Sequence, residues 1–275
     1  MRKNFEKDTL PSELSRFFKS LRPVYLKFGE TRHPRVKTKE GGSLVSALDW
    51  ELNDKINRFL KKIASYPVIS EETITGSWPP PQEDFWLIDP LDGTHNFLAG
   101  LPIFGTMIVL VQNSRPTFSA IFLPAKEILS GNGFYWAAKG GKAWQLQGNK
   151  KTRITVSKTR GLATAFLLIE GSAKRALKSL LIRKAIGVAQ RVRDSLSFCW
   201  STTSVASGGN HRHSADALIS YKNKPWDNLP GCLLVEEASG KVTDYAGRPW
   251  SLENCSSLIF SNGRLHNEIL ALLKK

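Results

Sequence analysis

Cysteine is scarce in this chain of 275 residues: the three present, Cys199, Cys232 and Cys255, are odd in number and lack paired metal spacing. Neither a disulfide framework nor a thiolate zinc site is indicated, and a reducing compartment, taken as the cytoplasm, is expected. Long hydrophobic runs are missing too. No apolar stretch approaches the roughly 18 residues of a membrane span, and the opening MRKNFEKDTL lacks an apolar signal-like segment, so neither a membrane location nor export is expected. Internal repeats, low-complexity tracts and long linkers are absent. Acidic residues are in deficit, 24 against 39 lysines and arginines, giving a net charge of +15. That excess favours anionic partners: a phosphorylated small molecule, but equally RNA, DNA or acidic lipid.

With few acids present, their placement is informative. In FWLIDPLDGTHNF, residues 85–97, the apolar run Phe85 to Ile88 reads as a buried strand that ends in Asp89 and Asp92. A buried strand has little reason to end in two carboxylates unless something cationic neutralises them. Pro90 stiffens the intervening turn, so both carboxylates and the Leu91 carbonyl can face one point. Gly93 permits close backbone approach, and Thr94, His95 and Asn96 can open a helix whose free N–H groups bind phosphate. Oxygen ligands of this kind suit Mg²⁺, Mn²⁺ or Ca²⁺. Taken alone, Asp-Gly after a strand also reads as an ordinary solvated turn.

Further acids stand in similar settings. YPVISEET, residues 66–73, is an apolar run ending in Glu71 and Glu72. Asp227, in KPWDNLPG, sits where a helical pattern through Leu229, Leu233 and Leu234 begins, so it also reads as an N-cap contributing roughly 1 kcal/mol. Asp49 follows Ser46 by three residues, a spacing that fits helix capping as well as a role at a site. Lys37 and Lys39 read as solvated charge. The run His211, Arg212, His213 reads as a surface loop rather than a transition-metal site.

Taken together, the motifs SEE at 70–72, DPLDGT at 89–94, PWDNLPG at 225–231, EEASG at 236–240 and VSALD at 45–49 resemble those of the inositol monophosphatase family of Mg²⁺-dependent, lithium-sensitive phosphatases. The likeness runs from about Lys37 to the C-terminus. It implies that Glu71, Asp89 and the Leu91 carbonyl bind one metal, while Asp89, Asp92 and Asp227 bind a second. A third, weaker ion near Glu71 has Asp49 beside it. It further implies that Thr94, with Asp49 and Glu71, positions and activates the attacking water. The amides of Gly93 and Thr94 would hold phosphate oxygens, with Asp92, Ser197 and Asp227 at the substrate. A homodimer is implied as well.

Two places depart from the pattern. Family enzymes acting on inositol phosphates carry a Gly-Thr-Ala or Gly-Ser-Ala motif where this chain has Leu196, Ser197 and Phe198, and a ring-contacting glutamate where it has Ser220. Phosphatase chemistry is thus expected on inositol monophosphate or a related phosphorylated polyol. The alternatives are a bisphosphorylated nucleotide, a sugar phosphate or histidinol phosphate, and, from charge alone, a nucleic-acid-binding protein on this scaffold.

Periodicity predicts helices near 9–27, 43–64 and 265–274, a basic helical stretch at 172–186 that includes Lys174, Arg175, Lys178, Arg183 and Lys184, and strands near 67–70, 84–88, 103–112 and 117–123. Mixed elements with acids at strand ends predict a layered α/β protein. The resemblance adds an αβαβα sandwich, a single catalytic unit over 1–275 built of two packed halves, about 1–155 and 156–275.

Overall fold

A computed structural model describes residues 9–29, 36–38, 44–80, 84–171, 178–211 and 214–273. Within these, nine α-helices are α1 Leu10–Ser20, α2 Arg22–Gly29, α3 Ala47–Ile63, α4 Thr94–Leu98, α5 Pro124–Ser130, α6 Leu180–Val188, α7 Phe198–Ala206, α8 Pro225–Glu237 and α9 His266–Ala271. A seven-stranded sheet runs in the order β3 (Val68–Ser70), β4 (Phe85–Asp92), β5 (Gly105–Gln112), β6 (Arg115–Phe122), β7 (Phe134–Ala138), β8 (Ala143–Gln147) and β9 (Lys150–Arg153). A five-stranded sheet has β11 (Arg191–Arg193), β10 (Phe166–Glu170), β12 (Ala217–Ser220), β14 (Leu258–Ser261) and β13 (Lys241–Asp244) side by side. The short strands β1 (Val36–Thr38) and β2 (Leu44–Ser46) pair with one another.

Side-chain parity builds the layers. Along β4, Phe85 and Leu87 enter the core shared with the second sheet, while Trp86 and Ile88 enter the core beneath α1, α2 and α3. Both faces are covered, so the strand has no polar side and its sequence is continuously apolar. In the five-stranded sheet Leu168, Leu218 and Phe260 point to the shared core, and Leu167, Ile169, Ile219 and Ile259 pack outward with α6 and α9. Helices α7 and α8 fill the space between the sheets, giving an alternating αβαβα order. They approach closely because Gly231 faces Thr202, where an added Cβ would lie 2.3 Å from a side-chain carbon.

Several sequence expectations shift. The helix predicted over 9–27 is two helices, α1 and α2, meeting at Leu21. The helix predicted from 43 begins at Ala47, because residues 44–46 are drawn into β2, and the helix predicted at 265–274 is shorter, His266–Ala271. Strand β4 does not stop at Ile88 but continues to Asp92, with a register shift against β5 between Asp89 and Asp92. The basic stretch becomes α6 from Leu180, while Lys174 and Arg175 lie outside the described residues, as do Lys39, Arg212 and His213. No helix among the described residues is long and apolar enough to cross a membrane.

One buried histidine ties α9 to the second sheet. His266 has no exposed surface; its Nε2 lies 2.8 Å from Thr243 Oγ1 and its Nδ1 2.8 Å from Ser261 Oγ. The Thr243 hydroxyl donates to the Asp244 carbonyl, so it accepts from His266 Nε2–H, and Nδ1 accepts from Ser261. Burial, with Lys241 nearby, pushes the imidazole down to about 4. The unfolded chain takes up a proton near 6.5 that the folded protein refuses, so this residue makes stability fall as pH drops from about 6.5 to about 4. Replacing His266 with Gln is expected to flatten urea-unfolding stability across that window by up to about 3 kcal/mol. An unchanged slope would remove His266 as its source.

Candidate active site

Four helices, α3, α4, α7 and α8, begin near the acids, and two of the acids sit in their first turns. Asp49 is in the first turn of α3 and Asp227 in the first turn of α8. Thr94 opens α4 behind Gly93, whose φ of +84° suits glycine and whose added Cβ would lie 2.7 Å from the Ile103 carbonyl. Asp92 is gripped by the start of α7: Phe198 N–H donates to Oδ1 at 3.0 Å, Cys199 N–H to Oδ2 at 2.8 Å, and the Ser197 hydroxyl to Oδ2 at 2.7 Å. Free N–H groups and the positive end of a helix macrodipole favour a carboxylate there.

One ligand oxygen each from Asp89, Asp92 and Asp227 lie within 4.8 Å of one another. Asp89 also meets Glu71, whose backbone N–H is bonded to Ile88 O at 3.1 Å. Leu91 N–H donates to Asp89 Oδ1 at 3.0 Å, which folds the DPLD turn around that carboxylate. Asp227 is not the N-cap expected from sequence: Lys224 caps α8, and Asp227, three residues on, accepts its N–H at 3.0 Å. Thr94 Oγ1 lies 3.2 Å from Asp49 Oδ1 and 3.0 Å from the Leu91 carbonyl, so one hydroxyl joins the helix acid to the turn. Tyr25 buttresses the same turn from α2, through Thr106 to the Pro90 carbonyl, in two contacts of 2.8 Å.

The electrostatics are those of a site awaiting positive charge. Burial, then mutual repulsion with Glu71, Asp92 and Asp227, raises the Asp89 carboxyl well above the usual range. Asp227 is raised for the same reasons, burial first. Asp92 is raised by burial, which its hydrogen bonds only partly offset. Among the described residues, no lysine, arginine or histidine is ion-paired with these three. A closely spaced, desolvated set of oxygen donors fits a hard divalent cation such as Mg²⁺.

The second half contributes the wall facing the acids. Leu196 is half-exposed and has φ +54°, a left-handed conformation in a position where inositol-directed relatives were expected to carry glycine. Ser197 is buried with its hydroxyl committed to Asp92, and Phe198 starts α7. Ser220 offers no group to a substrate, being fully buried with its hydroxyl on Asn228 at 2.8 Å. Of the other acid expected nearby, Glu72 is bonded through its N–H to Ser70 Oγ at 3.2 Å.

Sequence reasoning missed one acid, Glu170, and gave Asn96 only a place at the opening of a helix. Glu170 is buried at the end of β10, beside Ser220 in the parallel register, and burial pushes its carboxyl up to about 8. The signal was available, since FLLIE repeats the apolar run ending in an acid already seen in FWLID. Asn96, one helical position past His95, donates from Nδ2 to Ile103 O at 2.8 Å and Ser195 O at 2.7 Å, stitching the DGTHN segment to the opposite wall. Nothing local in the sequence marks that contact.

Comparison with known proteins identifies the family and the fold. Fructose-1,6-bisphosphatase/inositol-1-monophosphatase of Aquifex aeolicus is 30% identical over 254 residues, covering 90% of this chain and 88% of that one. Histidinol-phosphatase of Mycobacterium tuberculosis is 30% identical over 195 residues, 68% of each chain. A solved IMPase/NADP phosphatase, complexed with Mg²⁺ and phosphate, has the same fold at a TM-score of 0.80, with 18% identity over 97% of this chain and 95% of that one. The model of the inositol monophosphatase family matches residues 22–275, and the chain belongs to that family of phosphatases.

Proposed function

We propose that this protein is a Mg²⁺-dependent phosphomonoesterase that hydrolyses a small phosphorylated metabolite, inositol monophosphate or a related polyol phosphate in the first instance. The observation that carries the reading is the convergence of Asp89, Asp92 and Asp227 within 4.8 Å, next to the hydroxyl that links Thr94 to Asp49. Asp89, Asp92 and Asp227, with Glu71 and the Leu91 carbonyl, would hold two or three cations. Bound there, Mg²⁺ (or Mn²⁺) supplies charge neutralisation and a more acidic water.

The chain's own residues do the rest. Thr94 directs its proton to Asp49, so its oxygen accepts from a water and fixes that water's lone pair toward the phosphorus. Asp49, buried and at a helix start, is placed to take up the proton. The water oxygen bonds to phosphorus as the phosphorus–alkoxide bond breaks; the alkoxide takes a proton from solvent water and leaves as the alcohol, and the hydroxide so formed is neutralised by the proton taken up at Asp49. Because charge spreads over the non-bridging oxygens in such a transfer, positioning and neutralisation outweigh any protein nucleophile. The amides of Gly93 and Thr94 are the proposed anchors for phosphate. Lithium inhibition and a homodimer belong to the same reading.

A second reading keeps the chemistry and changes the alcohol. The left-handed Leu196 beside the acids and the sequestered Ser220 remove a glycine and a carboxylate from the expected polyol wall. Histidinol phosphate, a sugar phosphate or a bisphosphorylated nucleotide are the substrates this favours. The charge-based nucleic-acid reading gains nothing from the site.

Two outcomes are expected. Phosphate release from a panel of inositol, sugar, histidinol and 3′,5′-bisphosphonucleoside phosphates should require Mg²⁺ and fall by at least about a thousandfold in Asp89→Asn. Wild-type turnover in the folded variant would sink the mechanism. Without metal, by contrast, Asp89→Asn is expected to be the more stable protein by ~1–2 kcal/mol, about 2–6 °C in Tm, since the substituted amide oxygen still accepts from Leu91 N–H and one buried charge is gone. The sign follows from the raised carboxyls: folded protein keeps protons that the unfolded chain releases above about 4, so metal-free stability falls with rising pH. Mg²⁺ should raise the wild-type Tm and leave the variant's nearly fixed, measured by thermal unfolding near pH 8.

A further inference from the structure

The hold on Asp92 does not end at the start of α7. Ser197, which donates to Asp92 Oδ2, directs its own N–H to the Ser195 hydroxyl at 3.2 Å. That hydroxyl donates to Glu170 Oε1. The same oxygen accepts Ser195 N–H at 3.2 Å and the Ser201 hydroxyl at 2.5 Å. One carboxylate oxygen on a rigid strand therefore collects a backbone amide, the hydroxyl behind it and a hydroxyl one turn into α7. Asn96 fixes the other side of this turn through the Ser195 carbonyl at 2.7 Å and the Leu196 carbonyl at 3.3 Å.

Between these two anchors Leu196 is held at φ +54°. A left-handed leucine costs about 1–2 kcal/mol and persists only where its surroundings over-determine it. Glu170 through Ser195, Asn96 through the two carbonyls, and Asp194, whose Oδ1 accepts Leu196 N–H at 3.0 Å, are those surroundings. Their effect is to turn the chain so that the Ser197 hydroxyl and the Phe198 and Cys199 amides all reach Asp92. Glu170 is itself at the right height: in register with Ser220, pointing inward with Leu168, and near enough that its charge bears on both Asp92 and Asp227. From the outer side the exposed Asp194 carboxyl also reaches Glu170.

We propose that Glu170 is a positioning residue of this active site, acting through the Ser195–Ser197 turn to hold Asp92 for the divalent cation. The inference rests on the reading of Asp92 as a cation ligand. Groups that orient a ligand from behind typically change metal affinity 10- to 100-fold when removed. Glu170 acts at one remove further, so the lower end applies.

The test is Mg²⁺ binding by the full chain, read from the Mg²⁺ dependence of Tm and by isothermal calorimetry, with turnover as a second channel. In Glu170→Ala the three donors lose their acceptor, and Mg²⁺ half-saturation is expected to rise about tenfold. Glu170→Gln keeps an acceptor oxygen at the same place and should restore affinity to within about threefold of wild type. In a double-mutant cycle, Ser197→Ala should add less than about threefold to the Glu170→Ala loss, because both break one chain of bonds. A merely structural role would lower Tm without moving half-saturation, and would leave the two substitutions additive. Unaltered Mg²⁺ affinity in Glu170→Ala overturns the assignment while the cation site stands. Should that variant not fold, Ser195→Ala, which cuts the link between Glu170 and Ser197, takes its place. Its half-saturation should rise at least about threefold, and an unchanged value overturns the assignment in the same way. Wild-type protein that shows no Mg²⁺ effect at all overturns both readings.

Discussion

Like charges held close together away from water are the constraint on which the architecture turns. Asp89, Asp92 and Asp227 converge at a point where burial opposes their ionisation and each opposes its neighbours. In isolation that arrangement weakens the fold. It is sustained because helices α3, α7 and α8 all begin there, so that unpaired N–H groups and positive helix ends face the acids. The same feature suits a phosphate once cations have neutralised the carboxylates. Stability and function thus oppose one another at a defined place, and the rest of the molecule supplies the difference.

That supply comes from the three apolar cores. Each sheet is covered on both faces, so strands alternate between cores rather than between core and solvent. Parity then does something beyond packing. Asp89 follows Phe85 and Leu87 on the inward side of β4, and Glu170 and Ser220 follow Leu168 and Leu218 on the inward sides of β10 and β12. Where each apolar run ends, the next inward position delivers a polar side chain into the layer occupied by α7 and α8. Two sheets facing one helical layer thereby aim their strand ends at a common volume. The register shift after Asp89 lets the same strand deliver Asp92 as well.

This logic explains what was legible in the sequence. Asp89, Asp92 and Glu71 stood out because an acid after an apolar run is locally anomalous, Asp227 because the PWDNLPG motif framed it, and the layered α/β class followed from the alternation of elements. Glu170 carried an equal anomaly in FLLIE and was passed over because no recognised motif framed it. Asn96 and Tyr25 could not have been read, since their roles depend on contacts with residues 195–196 and with Thr106, far away in the chain. Helix limits erred for a different reason. Residues 44–46 satisfy a helical pattern, yet pairing with β1 claims them, and tertiary context overrides local propensity.

That Asp89, Asp92 and Asp227 match the family motifs while the Leu196–Phe198 turn departs from them has a physical basis in where each is built. Asp89 and Asp92 stand on β4 and Asp227 at a helix start, fixed by the backbone bonding of those elements. The wall is a turn, Ser195 to Ser197, in which the two serines are buried on Glu170 and Asp92 and only Leu196 is exposed. A turn of that kind admits new side chains as long as its backbone path survives. Here leucine occupies a left-handed position that glycine would fill without strain, and the path survives because Glu170 and Asn96 hold it from both sides. The strain of Leu196 is consequently tolerated rather than relieved, and an exposed apolar side chain stands one residue from Ser197, the group that donates to Asp92.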